Sequence, residues 1–488
     1  MILVFLAMII SSVSSLLLQR ILNIPTPLFG FTLKQLRSIG KFVRHDFFDN
    51  PLKIPKAFID TTNSQTVLDA SSIAPGEIKN HIEYGEMVQL AYDILNSNKT
   101  SRNYGGTHIG SDENLAKVVS SLFPGNKVET VIKTSAVDFT GAEATCESFM
   151  GYVLFNEKKR EATIVFRGTI LMEEWFTNSE VAGQIWGGDP APTLQDALDL
   201  LIHPPVNTLV AHQGFYRMYT QEVAPTKQSE ELMKREGEHC SDHHAHGDDP
   251  QESCRKTIGR LIKEGKIDTI NTVGHSLGAA LAFVAAVDMG LFVNSVELKD
   301  YNWKGKVNAI CYACPKVGTL PVINQYISEN RINFFHYLNR GDIVPTGPMP
   351  GMLAHPSNTV KRRFDPAKVD VIDREKTKAL WYIHKDNLGV MHNLRHIMFN
   401  MWYTSSQVHE GNLDLKSIQM DKALLNWSED MLAPSEKVPG NWHYKNIVKT
   451  FPEVAKGDII PDESVDKFIE LLALCRAFPA IVVASLEE

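Results

Sequence analysis

The chain contains no long basic run and no cysteine or histidine spacing of the structural-zinc kind, and its formal charge is −8. Those absences exclude a broad nucleic-acid surface. No internal repeat is evident, which excludes a solenoid or propeller. Cysteine is scarce, at six residues in 488, a number that fits an oxidising compartment but does not by itself establish one. What is plentiful is apolar residue content, 43%, enough to bury one large core with additions or two smaller ones.

The N-terminus is one long uncharged run, from Ile2 to Leu18. It is long for a signal core and slightly short for a relaxed membrane span, and it is membrane-directing on either reading. A cleavable signal would be cut near the small residues Ser11 to Ser15. A retained anchor is favoured by the missing basic n-region and by Arg20, Lys34, Arg37, Lys41 and Arg44 after the run. Residues 1–20 are therefore expected to be a signal peptide, or else an anchor, directing the chain to the secretory pathway as a secreted or membrane-associated protein. Sequons at Asn98 and Asn426 fit that route. Cys240 and Cys254 lie in one polar insert where a small loop could close between them. Cys311 and Cys314 form a C-x-x-C followed by Pro315 inside an apolar run, which reads as packing because a redox pair would open a helix.

Residues 21–84 mix helix signals with Pro25, Pro27, Pro51 and Pro55 and read as an irregular N-terminal extension. From residue 85 to 405, short apolar strands alternate with helical stretches. The strands are GYVLF from Gly151, EATIVF from Glu161, a run ending at Val273, KVNAICYA from Lys306 and INFFHYL from Ile332. That alternation predicts an α/β fold with a mostly parallel central sheet flanked by helices. Residues 406–488 carry few strand signals and one clear helix, VDKFIELLALCRAF, and read as a mainly helical tail. The polar insert carries His239, Cys240, Asp242, His243, His244 and His246. Their spacing matches no structural zinc pattern, and a solvated loop is expected, with no metal.

The most informative stretch is IDTINTVGHSLGAA, residues 267–280. Ile267, Ile270 and Val273 belong to a strand, and LGAALAFVAAVDMG is helix-forming, with Gly290 where a C-cap is expected. Between them lies G-x-S-x-G, with Ser276 flanked by Gly274 and Gly278. A serine becomes a nucleophile only when presented uncrowded to a base, and a sharp strand-to-helix turn does this. In such folds the order along the chain is serine, acid, histidine. Asp342, just past the INFFHYL strand, is the expected acid at the carboxyl edge of the sheet. His355, His384, His392, His396 and His409 all follow it, and the residues alone do not choose the base.

TVGHSLGAALAFVAAVD, together with IVFRGT before it and ACPKVG and NRGDIVP after it, resembles the class 3 lipase family. YGEMVQLAYD from Tyr84, the EEW ending at Trp175 and AHQGFYRMY from Ala211 are similar to its plant-type phospholipase A1 branch, whose members remove the sn-1 acyl chain. The resemblance covers about residues 85–400. It implies an α/β-hydrolase fold and a lipid carboxylic ester hydrolase, of triacylglycerol lipase or phospholipase type, that needs no cofactor. It also implies a lipid substrate at a membrane or droplet surface. HNL at His392 is similar to the family's block around its base. Thr169 and Leu277 match the residues whose backbone N–H groups hold the oxyanion, each contributing about 3 kcal/mol to the transition state. The family's lid falls in the stretch after Thr169. Here that stretch is lengthened by IWGGDPAPTLQDALDLLIHPP, and Trp175, Phe176 and Trp186 suit a shielding role. The other reading is a catalytically silent lipase-like scaffold for a protein partner, with the serine turn kept as structure.

Overall fold

The computed structural model describes residues 75–98, 101, 103, 105–134, 148–169, 183–185, 210–220, 249–318, 332–339, 342, 344–346, 360–364, 392–395, 397–398, 401 and 447–476. The apolar N-terminal run, the expected lid aromatics, the histidine-rich insert, Asn426, and His355, His384, His396 and His409 lie outside these residues. Among the described residues, no helix is long and apolar enough to cross a membrane.

A seven-stranded sheet forms the centre. Its strands are β1 (Asn126–Thr134), β2 (Ser148–Asn156), β3 (Glu161–Phe166), β6 (Thr269–His275), β7 (Lys306–Tyr312), β8 (Ile332–Asn339) and β9 (Val360–Phe364), hydrogen-bonded in that order. The first three pair antiparallel, and β3, β6, β7, β8 and β9 run parallel. A separate ribbon pairs β4 (Gly183–Ile185) with β5 (Val210–His212). All five strands expected from sequence are present, in the mostly parallel arrangement of an α/β-hydrolase. The two outer strands were not foreseen. NKVETVIKT in β1 and VKRRF in β9 are rich in charge, as suits sheet edges that must not recruit further strands.

Each face of the sheet buries its own core, because alternate residues of a strand point to opposite sides. In β6, Ile270 joins one core and Val273 the other. On the first face lie α3 (Gln213–Thr220), α4 (Pro250–Lys263) and α5 (Leu277–Phe292). Helix α5 is apolar around its circumference, and every residue but Leu291 is buried, as a helix wrapped by protein must be. Gly290 is no cap: α5 continues through it to Phe292, and Val293 N–H closes on Met289 O at 3.0 Å. The exception to the apolar pattern is Asp288, fully buried. Its carboxylate accepts from Arg255 at 2.6 and 3.2 Å, Gln251 at 2.7 Å and Tyr219 at 3.0 Å, which ties α3 and α4 to α5. Cys254 sits beside this cluster as a buried free thiol, so it closes no loop with Cys240. Cys311 and Cys314 are also buried free thiols within the packing.

The second face is covered by α1 (Pro75–Asp93), α2 (Asp112–Leu122), the 394–401 segment, and the C-terminal helices α6 (Pro452–Lys456) and α7 (Val465–Arg476). Helix α1 crosses the boundary expected at residue 85. Its Tyr84, Met87, Val88, Leu90 and Ala91 are core residues. Tyr84 donates to Glu161 at 2.8 Å and accepts from Asn271 at 3.0 Å, so one phenol fixes α1 over β3 and β6. The described part of the tail likewise belongs to the domain core through Ile447, Phe451, Val454, Ile460, Phe468 and Leu472. Polar bonds register it: Asn96 and Ser101 both donate to Gly457 O, at 2.8 and 2.5 Å, and Asn98 donates its side-chain amide to Ala455 O at 3.0 Å.

His108 lies under the tail, 2% exposed, with Nδ1 facing Asp458 O at 3.4 Å and no partner for Nε2 among the described residues. Burial lowers its pKa from 6.5 to about 4. The folded ring is thus neutral where the unfolded one takes a proton. Stability is whole above pH 6.5 and declines as pH falls toward 4, by roughly 3 kcal/mol at most from this residue. Melting temperatures between pH 7 and pH 4 should fall less steeply for His108→Gln than for the parent chain. Parallel curves would refute this account of acid sensitivity.

Candidate active site

Ser276 stands between the end of β6 and the start of α5 with φ 57 and ψ −123. A non-glycine residue held there costs about 1–3 kcal/mol and persists only where its surroundings enforce it. The enforcement is visible. Ser276 N–H donates to Tyr312 O at 2.9 Å on the neighbouring strand, and glycines remove the side chains that would obstruct the turn. A Cβ on Gly274 would lie 2.0 Å from Gly278 O, and one on Gly278 would lie 2.3 Å from Arg167 O. Both obstacles are backbone and cannot swing aside. Gly274→Ala should therefore lower stability by roughly 3 kcal/mol in chemical denaturation, the upper range for overpacking; an unchanged midpoint would refute the close approach.

Gly168 repeats this logic from the β3 side. A Cβ there would meet the Tyr92 hydroxyl at 2.0 Å, His275 O at 2.6 Å and Ser276 Cβ at 3.1 Å. The R-G-T block is thereby pressed against the serine turn. Arg167 fixes it from beneath: fully buried, it donates to Phe149 O at 2.7 Å, Gly168 O at 2.9 Å and Ser148 Oγ at 2.9 Å. Thr169 follows directly. Leu277, the first residue of α5, has a backbone N–H with no partner within the helix, at the positive end of the helix dipole.

His392 approaches from the far end of the sequence. Its Nε2 lies 2.8 Å from Ser276 Oγ, and its Nδ1 lies 2.9 Å from Asp342 Oδ2. The Asp342 side chain is completely buried, while that of His392 keeps 23% of its surface exposed. Val344 N–H donates to Asp342 Oδ1 at 3.0 Å and fixes the carboxylate plane. A carboxylate only accepts, so Nδ1 carries the proton, leaving the Nε2 lone pair for the serine hydroxyl. That is the state a general base requires.

All five residues singled out from sequence, Ser276, Asp342, His392, Thr169 and Leu277, are among the described residues. The first three form one continuous hydrogen-bonded line, and the segment after β3 that bears Thr169 abuts the serine turn at Gly168. Sequence reasoning missed Arg167, Tyr92 and His275. Each was inside a quoted motif, but only the fold reveals which neighbour each one meets. Among the described residues, no three histidine, cysteine or acidic side chains gather to hold a metal ion.

Residues 163–352 match the model of the lipase (class 3) family. The chain is 24% identical over 385 residues to phospholipase A1-II 7 of Oryza sativa subsp. indica, covering 74% of this chain and 85% of that protein. It is 23% identical over 391 residues to phospholipase A1-IIgamma of Arabidopsis thaliana, covering 74% of this chain and 81% of that one. Among solved structures, lipase II from Rhizopus niveus aligns at 20% identity and a TM-score of 0.34, over 60% of this chain and 82% of that chain. The last likeness is too slight to argue from. Over residues 163–352, then, the chain is similar to the class 3 lipase family.

Proposed function

We propose that this protein hydrolyses carboxylic esters of lipids through an acyl-enzyme on Ser276, with phospholipids cleaved at sn-1 as the preferred substrate class. The observation that carries the reading is the line from Ser276 Oγ through His392 to Asp342, at 2.8 and 2.9 Å, ending on a serine in a strained turn. The phospholipase A1 relatives support the choice of substrate. Ser276 Oγ attacks the acyl carbonyl carbon as its proton passes to His392 Nε2. The carbonyl oxygen becomes an oxyanion held by the N–H groups of Thr169 and Leu277. The carbon–oxygen bond to the leaving alkoxide breaks, and His392 returns the proton to it. Water then gives a proton to His392 as it attacks the acyl-serine carbonyl, the bond to Ser276 Oγ breaks to release the fatty acid, and His392 returns the proton to Ser276 Oγ. Buried Asp342 fixes the ring and stabilises the imidazolium at both steps.

The apolar run from Ile2 to Leu18 supports entry into the secretory pathway, where the substrate surface would be a membrane or droplet. A fluorophosphonate probe should label the purified protein at Ser276, and phosphatidylcholine isotopically labelled at sn-1 should lose its labelled chain faster than the sn-2 isomer or trioleoylglycerol. A folded protein that resists the probe would favour the silent scaffold. Equal release from sn-1 and sn-2 would overturn the positional preference alone.

A further inference from the structure

We propose that Tyr92 and His275 form a hydrogen-bonded strut that sets the position of His392 through its main chain, making both of them positioning residues for the reaction. The inference rests on the reading of Ser276 and His392 given above. His275 precedes Ser276 and, as the last residue of β6, points to the sheet face that α1 covers. Its Nε2 lies 2.7 Å from His392 O and its Nδ1 lies 2.8 Å from the Tyr92 hydroxyl. A carbonyl oxygen only accepts, so the proton is on Nε2. Nδ1 then presents a lone pair, and Tyr92 donates to it. In the neutral ring the carbonyl oxygen of His392 sets the tautomer, with the proton on Nε2, and the Tyr92 hydroxyl bonds the remaining lone pair on Nδ1.

The surroundings preserve that state. His275 is buried, and burial together with the neighbouring His392 holds its pKa well below the ordinary imidazole value. The two rings are 4.8 Å apart between centroids. A charged His275 would oppose the imidazolium that forms on His392 in each step, whereas a neutral one does not. Asp342 and Ser276 hold the two nitrogens of the His392 ring, but neither bond fixes the main chain that carries it. The strut holds that backbone at its carbonyl. Three residues on, Arg395 is ion-paired with Glu86 of α1, both largely buried, so the base-bearing segment is tied to α1 at two places. The Tyr92 hydroxyl also occupies the space that Gly168 leaves by lacking a side chain. That contact explains why the tyrosine of the YGEMVQLAYD block and the glycine of the R-G-T block belong to one site.

The test uses four variants of the full-length protein, assayed for kcat and KM on one ester, with melting curves to establish folding. In His275→Gln the amide nitrogen takes the place of Nε2 and keeps the donor to His392 O. In His275→Asn the amide reaches only the Nδ1 side. The proposal expects His275→Asn to lose about 100-fold in kcat with KM within about twofold, the scale for a misplaced catalytic group. His275→Gln should recover most of that loss. Tyr92→Phe, which keeps the ring and its packing, should lower kcat by about tenfold, and the same change on the His275→Gln background should have little further effect, since the Nδ1 that Tyr92 bonds is gone. Equal losses in the Gln and Asn variants would overturn the strut, as would a rise in KM at constant kcat or a silent Tyr92→Phe. Fluorophosphonate labelling of the parent protein reports separately on Ser276, so failure of the strut and failure of the serine assignment are distinguishable.

Discussion

Ser276→Ala is expected to lower ester hydrolysis by about 10⁴-fold or more while leaving the fold in place, because the nucleophile is lost but the Cβ is kept. Alanine inherits the same φ of 57 and ψ of −123 and so the same strain. Its melting temperature should therefore stay near that of the parent. Ser276→Gly gives a sharper contrast. Glycine adopts this backbone region freely, so it should be equally inactive and yet more stable, by roughly 1 kcal/mol. Activity on p-nitrophenyl esters and denaturation midpoints measure the two quantities independently. Retained hydrolysis in Ser276→Ala would remove the nucleophile from the mechanism, and destabilisation in Ser276→Gly would remove the strain.

The second large effect concerns the acid. Asp342→Asn keeps the shape of the side chain, and its carbonyl oxygen can still accept from Val344 N–H. The amide nitrogen, however, donates where the carboxylate accepted. His392 must then present a lone pair at Nδ1 and carry its proton on Nε2, where it cannot accept from Ser276. A loss of about 10⁴-fold in kcat is expected, matched or exceeded by His392→Ala. His396→Ala should retain activity. A dead His396→Ala beside an active His392→Ala would transfer the base to the other histidine, and an active Asp342→Asn would mean that the ring is oriented by something else.

The site was legible where one residue type has one use. G-x-S-x-G after a β-branched run requires a tight turn, and the Cβ clashes at Gly274 and Gly278 are its cause. Asp342 was legible because a strand precedes it. The base was not readable from the residues alone, since six histidines follow Asp342 and 50 residues separate it from His392; only family resemblance chose among them. Edge strands β1 and β9 escaped notice because charge suppresses the apolar signal in strands whose edges face solvent. The expected end of α5 at Gly290 failed for a related reason: surrounding packing carries the helix past a glycine that would end an isolated one. Tyr92 and His275 were invisible as partners, because nothing local in the sequence brings an α1 tyrosine to a β6 histidine 183 residues later.

Helix α1 and the segment from His392 to Met401 cover the same side of the sheet, yet the ribosome makes them more than three hundred residues apart. A Cβ at Gly85 would lie only 2.3 Å from Met398 Sδ, so little space separates them once they meet. A nascent chain that has not yet reached His392 lacks the proposed base and the Met398 side chain that packs on α1. On the proposed mechanism, hydrolytic competence is thus deferred until His392 has been made and has folded onto the sheet beside Ser276.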